Sequence, residues 1–565
     1  MKRTALILLS AFMAVTTATM AQAPKKDNNL SEKVKQYARM PLRADLGMLT
    51  PKEHELIKLF IDISNIMDNI YWEQVFGEEN HRKLRDIKDP AAQEYARINY
   101  GAWDRMDNDK PFLAGYKEKP AGANFYPADM SKEEFEKLDN AEKDSPYTVI
   151  RRDEKGHLQV IPYHIAYRKH LKRVNELLDR AISICDNDEM RTYLIERRNA
   201  LNSDNYYESD LTWMKMKKSN IDFVFGPIEN YDDALYGRKT AYEAFVLVKN
   251  REWSDRLERF TPMLPEMQSL LPCDKEYKEE MPGRNSDINV YDVVYYAGEC
   301  NAAGKTIAIN LPNDERVHLE MGTRRLQLKN AMEAKFETIM RPIAELMIGK
   351  EQIQHVKFDA FFNNVCFHEV AHGLGVKHVI NDKKSVREAL QNQYSAWEEA
   401  KADICGLFIV QTLIERGEIE EISLEDAYVT FMAGLLRSVR FGANEAHGKA
   451  NIMCFNYMQS RRAFNRSKDG RYSVDMKKMR EALEGWAALV LKMEGDGDYE
   501  EAQKYANKNG IIGETLANDL KAIEKAGIPI DIVFDQGFEV LELGGPMRNP
   551  LEKPAQIRQM EPVMK

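Results

Sequence analysis

The segment Phe367-His368-Glu369-Val370-Ala371-His372 sets two histidines four residues apart, with a glutamate directly after the first. On a helix, residues i and i+4 lie one turn apart on one face, so His368 and His372 can turn both imidazoles towards a single ion. This is the H-E-x-x-H pattern of zinc hydrolases. Glu369 is placed to take a proton from a water rather than to bind the ion. Only 11 histidines occur in 565 residues, so the pairing constrains the fold strongly: whatever closes the site must pack against this helix. Catalytic zinc usually takes three protein ligands, and the third one decides the architecture.

Two residues compete for that position. The run from His368 to His378 reads HEVAHGLGVKH and fits the metzincin spacing, in which a glycine turns the chain and returns a third histidine. Met432 and Met453 are available for the methionine-bearing turn that such a site wants. The other candidate is Glu399, in Trp397-Glu398-Glu399-Ala400-Lys401-Ala402-Asp403. On a second helix Glu399 can bind the metal while Glu398 and Asp403 hydrogen-bond the far nitrogens of the two histidines. Tyr394, Ala396, Ala400, Ile404, Cys405, Leu407 and Phe408 make this helix apolar over much of its circumference. Three carboxylates on a largely buried helix need a partner, and a metal supplies one. The residues favour Glu399 over His378 and leave both open.

Glu398 to Asp403 resembles the E-E-C-R-A-E or E-E-C-R-A-D segment of the dipeptidyl peptidase III family of zinc exopeptidases, with Ala400 and Lys401 in place of Cys and Arg. Ile309-Asn310-Leu311-Pro312-Asn313 is similar to that family's I-N-I-P-N stretch, and Ile228-Glu229-Asn230-Tyr231 to its glutamate and tyrosine segment. Glu445-Ala446-His447-Gly448-Lys449-Ala450 resembles its A-H-x-x-A segment. The matches keep the family's order. Two departures stand out: the family's zinc helix reads H-E-x-x-G-H, one residue longer than here, and Asn451 occupies a position where the family has arginine.

The resemblance implies one zinc ion per chain, held by His368, His372 and Glu399, with Glu369 as general base and Glu398 and Asp403 behind the histidines. It implies that Tyr231 and His447 donate hydrogen bonds to the developing oxyanion. It further implies that Glu229, Asn310 and Asn313 hold the amino terminus of short peptides, which would be cut near their free N-terminus, with dipeptides released. Each of these five residues also has a plain structural alternative: Tyr231 and His447 as core side chains, Glu229 as a surface charge, Asn310 and Asn313 as turn formers around Pro312. Two other functions remain open: a metzincin-like endopeptidase using His378, and a secreted peptide-binding protein without turnover.

Met1-Lys2-Arg3, the apolar run Ala5 to Val15 and the small residues of Thr19-Met20-Ala21 make the three parts of a secretory signal, with cleavage expected before Gln22. The mature protein is then expected in the periplasm or outside the cell. The apolar core of that signal, Ala5 to Val15, is too short to span a bilayer, and no later stretch qualifies, so no membrane partner is expected after cleavage. The six cysteines are scattered and form no C-x-x-C pair; Cys366 and Cys405 read as small buried hydrophobes, while a Cys273 to Cys300 pairing stays open. A net charge of −10, with no basic stripe and no glycine-rich phosphate loop, argues against a nucleic-acid partner.

The expected fold is α+β, with a mainly helical zinc-binding lobe and a mixed lobe with a β-core facing each other across a cleft. Helical patterns cover Pro51 to Val75, Ile165 to Cys185, Leu328 to Ile348, Phe358 to Val379, Val386 to Glu415 and Met476 to Met493. Strand patterns cover Tyr147 to Arg152, His157 to Tyr163, Ile221 to Phe225, Ala244 to Val248, Val290 to Tyr296 and Thr306 to Asn310. This assigns 1–21 to the signal, 22–245 to the mixed lobe and 246–285 to a segment of the helical lobe. The β-core follows at 286–320 and the zinc lobe at 321–525, with a return to the mixed lobe at 526–565. The charged ends, Gln22 to Arg43 and Pro550 to Lys565, are expected to be mobile, and the acidic run Glu494 to Tyr499 to be a loop between helices.

Overall fold

The computed structural model describes residues 29–280, 286–382, 384–443 and 446–543. The expected signal segment, its cleavage position and the C-terminal end from 544 onwards lie outside the described residues.

Strands β1 (Ile221–Glu229), β2 (Ala241–Lys249), β3 (Ser286–Gly298), β4 (Ala308–Leu311) and β5 (Thr323–Leu328) form one sheet in the order β1-β2-β3-β5-β4. Only β3 and β5 run parallel; the other pairs are antiparallel. Alternation along β1 decides what covers each face. Phe223 and Phe225 face helix α1 (Pro51–Val75), where Phe223 stacks on Phe60 at 4.3 Å between ring centres. That helix starts at a capping box made by Thr50 and Glu53, with Pro51 in the first turn. Asp222 and Val224 face the other way, towards α2 (Asp188–Leu201) and α3 (Tyr207–Lys215).

On that second face, Arg324 of β5 donates to the Asp222 carboxylate and to the Trp213 carbonyl, both at 2.9 Å, and to the Tyr291 hydroxyl at 3.0 Å. Arg324 and Asp222 are both buried, and their strands are not neighbours in the sheet. The pair therefore ties β1 to β5 across the curl of the sheet. Beyond β4 the chain continues this curl: the Asn313 side-chain amide donates to the Ile228 carbonyl at 3.1 Å, at the far end of β1.

The helical part is built around α4 (Phe358–Ala371) and α5 (Tyr394–Glu415). α6 (Leu424–Ser438), α7 (Ala446–Ser460) and α8 (Met476–Asp496) pack on α5. Residues 251–270 lie against the same lobe: Trp253 meets Phe362 at 4.7 Å, Phe260 meets Phe367 at 5.4 Å, and Gln268 bonds both backbone groups of Gly375. All six cysteines are free, Cys366 and Cys405 being buried. Among the described residues, no helix is long and apolar enough to cross a membrane.

Several expectations are corrected. The helix expected to reach Val379 ends at Ala371, because Gly373 and a left-handed Gly375 turn the chain. The pattern from Val386 breaks at Gln391, whose φ is +48°, so α5 starts at Tyr394. The β-core extends to Leu328, beyond the expected boundary at 320, since β5 bonds to strands on both sides. Within the expected mobile end 22–43, Leu30–Lys35 is helical and Tyr37–Pro41 pairs in parallel with Asp531–Asp535, a partner some five hundred residues away that local pattern does not reveal. The helix expected to end at Met493 continues to Asp496, so Glu494 is a buried helical residue and not part of a loop.

Arg324→Met should leave the Asp222 carboxylate buried without its cation. Breaking such a pair costs about 3–5 kcal/mol, so the denaturant midpoint should fall accordingly; an unchanged midpoint would show that the pair does not hold the curled sheet.

Candidate metal centre

The backbones of α4 and α5 come very close at Gly406. A Cβ on Gly406 would sit 2.7 Å from the His368 backbone nitrogen and 2.9 Å from the Phe367 carbonyl, so glycine is what lets the two backbones meet. Glu399, Asp403 and Gly406 stand at i, i+4 and i+7 on one face of α5. The glycine contact therefore carries both carboxylates onto the histidine face of α4. His372 caps α4 in helical φ/ψ, and its backbone N–H still reaches the His368 carbonyl at 3.2 Å, which keeps the two rings one turn apart.

His368, His372 and Glu399 each offer one ligand atom within 4.8 Å of the others. His368 Nε2 lies 3.4 Å and His372 Nε2 3.9 Å from Glu399 Oε2. Zinc bonds of about 2.1 Å in a tetrahedron put ligand atoms about 3.4 Å apart, so the three groups are spaced for that ion. The far nitrogens are also occupied as such a site requires. His368 Nδ1 lies 2.7 Å from Asp403 Oδ1, and His372 Nδ1 lies 2.8 Å from Glu398 Oε1. Those bonds call for a proton on each Nδ1 and turn each Nε2 towards Glu399.

Glu399 Oε2 is buried and makes no hydrogen bond among the described residues. A buried carboxylate oxygen in that state calls for a cation. The field agrees: burial disfavours the His368 imidazolium, but Asp403, Glu399 and Glu369 outweigh it and raise the pKa well above its ordinary value. For Glu398, burial acts to raise the pKa, and the Lys401 charge and the His372 hydrogen bond overcome it, holding the group well below the usual carboxylate range.

His447, from α7, brings Nε2 to 3.2 Å from Glu399 Oε2 while its side chain stays 65% exposed, so it borders the metal group and is not a core residue. The His378 alternative fails on geometry. Its ring is 58% exposed and bonds Glu280 Oε1 at 2.8 Å, because the Gly373 and Gly375 turn carries it away from the pair His368 and His372.

The residues expected to hold substrate gather at the end of the curled sheet. Glu229 ends β1, and burial raises the pKa of its carboxyl while the neighbouring Asn313 side chain opposes that rise. Tyr231 follows in the next loop, 77% exposed, within the electrostatic reach of Glu229, Glu299 and Glu243. Asn310 is exposed on the edge strand β4, opposite Arg325 of β5. The Arg325 guanidinium in turn donates to the Glu369 carbonyl, so the sheet and the metal helix are joined one residue from a ligand.

Four residues of this centre were not legible as such. Asn451 donates to Asp403 Oδ2 at 2.7 Å and so serves the histidine side of the site rather than a substrate. Lys401 and Glu494 lie behind Glu398, and Arg325 is the strut from the sheet. Gly406 did carry a signal, a glycine inside a helical pattern, which marks close backbone approach. Gly406→Ala should push α5 off α4 and lower unfolding stability by about 1–3 kcal/mol, measured by denaturant unfolding. An equally stable variant would remove the contact argument.

Residues 130–394 match the model of peptidase family M49. The solved structure of DPP III from Caldithrix abyssi is 36% identical and superposes with a TM-score of 0.86 over 91% of this chain and 100% of that one. Dipeptidyl-peptidase III from Corallococcus sp. strain EGB is 30% identical, with a TM-score of 0.75 over 91% of this chain and 97% of that one. A protein of Arabidopsis thaliana named Nudix hydrolase 3 is 34% identical over 89% of this chain and 73% of its own length. With a two-lobed α+β fold shared over nearly the whole chain, this protein belongs to peptidase family M49.

Proposed function

We propose that the protein is a zinc-dependent dipeptidyl peptidase acting on short peptides with a free N-terminus. The observation that carries this reading is the group His368, His372 and Glu399 with Glu369 beside its first member. A structural zinc site is normally closed by four protein ligands; here three converge, and Glu369 directly follows His368 in the chain. The name of the plant relative is not carried over, because part of that protein lies outside the match.

His368, His372 and Glu399 would hold a zinc ion, which when bound would supply Lewis acidity towards a water and the scissile carbonyl. Glu369 takes the proton from the attacking water and returns it to the leaving nitrogen. His447 and Tyr231 donate hydrogen bonds to the oxygen that gains charge. Glu229, Asn310 and Asn313 accept the substrate's ammonium, and the edge strand β4 offers backbone groups to an extended peptide. Holding the amine at a fixed distance from the metal turns cleavage into release of a dipeptide. We also propose a periplasmic or secreted location, on the signal-like pattern of residues 1–21; the mature protein should then begin at Gln22 on N-terminal sequencing.

Glu399→Ala should lose bound zinc and peptide hydrolysis together, while His378→Ala keeps both; the reverse result would restore the metzincin reading. Glu369→Gln should keep zinc and lose about 10²–10⁴-fold in kcat. Glu229→Gln should raise KM for unblocked peptides, and cleavage of N-acetylated peptides at the wild-type rate would overturn the exopeptidase assignment.

A further inference from the structure

Behind the metal group lies a buried lysine–glutamate pair that the proposed chemistry does not use. The Lys401 side chain is 1% exposed and that of Glu494 is 0% exposed. Lys401 Nζ stands 2.9 Å from Glu398 Oε1 and 3.0 Å from Oε2, straddling the carboxylate, and 3.7 Å from Glu494 Oε2. Glu398 Oε1 is the atom that meets His372 Nδ1 at 2.8 Å, and the Tyr394 hydroxyl donates to Oε2 at 3.2 Å. Neither Glu494 oxygen makes a hydrogen bond among the described residues, and Lys401 is the cation closest in effect to it.

Stability alone does not account for this arrangement. Taking an ammonium and a carboxylate out of water costs several kcal/mol each, and apolar residues of similar volume commonly do as well or better. The neighbourhood is apolar enough to show that cost, since burial pushes the Glu494 carboxyl up to about 8. What the pair does supply is a fixed positive charge on the far side of Glu398, with Glu494 of α8 beside it. Hydrogen-bond partners behind a ligating histidine set its orientation and basicity.

We propose that Lys401 and Glu494 are positioning residues for the metal centre: Glu494 fixes Lys401, Lys401 fixes Glu398, and Glu398 fixes the His372 ring with Nε2 towards the ion. This inference rests on the zinc reading above. Zinc dissociation constants of wild type, Lys401→Met, Lys401→Arg and Glu494→Gln, measured by chelator competition, test it alongside thermal unfolding of each metal-free protein. Lys401→Met should weaken zinc by about 10–100-fold. Lys401→Arg, which keeps a cation able to fork onto Glu398, should recover most of that loss. Glu494→Gln should weaken zinc less than Lys401→Met.

A purely structural role would lower the unfolding temperature of the metal-free protein and leave the zinc constant unchanged, and that result overturns the proposal. Should Lys401→Met fail to fold, Glu494→Gln decides in its place: weaker zinc supports the relay, and wild-type affinity overturns it. Wild-type protein that binds no zinc would remove the metal-centre reading and the relay with it. Tight zinc in both wild type and folded Lys401→Met would remove the relay alone.

Discussion

The backbone contact between α4 and α5 at Gly406 is the constraint on which the rest of the site depends. Each helix alone carries half of a metal site. Brought into contact at a residue without a side chain, they place Glu399 opposite two imidazoles and Asp403 and Glu398 behind them. A larger residue at 406 would meet backbone and not the tip of a flexible side chain, so the helices would have to part. The ligand spacing follows from helix geometry and from this single distance of approach.

The charge balance around that contact is uneven by design of the donor set. Glu369, Glu398, Glu399 and Asp403 crowd one region, with Lys401 as the buried cation on their far side. This excess favours a cation between the histidines and explains why so many carboxylates are tolerated on helices whose other faces are apolar. Asn451 fits the same logic: its amide donates to the Asp403 oxygen that His368 does not use, so the carboxylate is held at both ends.

The second lobe meets the first through Arg325, whose strand pairs with the edge strand bearing Asn310 and whose guanidinium reaches the Glu369 carbonyl. The curled sheet, tied by Arg324 and Asp222, thus presents Glu229 and Asn313 at one end and supports the metal helix through β5. The residues proposed for substrate binding and those proposed for the chemistry thus lie on separate lobes joined through β5.

The sequence by itself determined the helix that carries His368, Glu369 and His372 and the second, acidic helix, because i, i+4 spacing is a local property of helices. Residues His368, His372, Glu369, Glu398, Glu399 and Asp403 were legible for that reason, as were the hairpin near residue 150 and the long helix from Pro51. The choice of third ligand was legible only as a preference: the residues favoured Glu399 without excluding His378, and the turn at Gly373 and Gly375, with the seating of α5 on α4, brings Glu399 and not His378 to the two histidines. The tertiary structure likewise decided that Glu494 lies buried behind the site, that Asn451 serves Asp403, and that β5 completes the sheet. Those contacts join segments far apart in the chain, and their free energies come from packing and desolvation, which no local pattern of residues encodes.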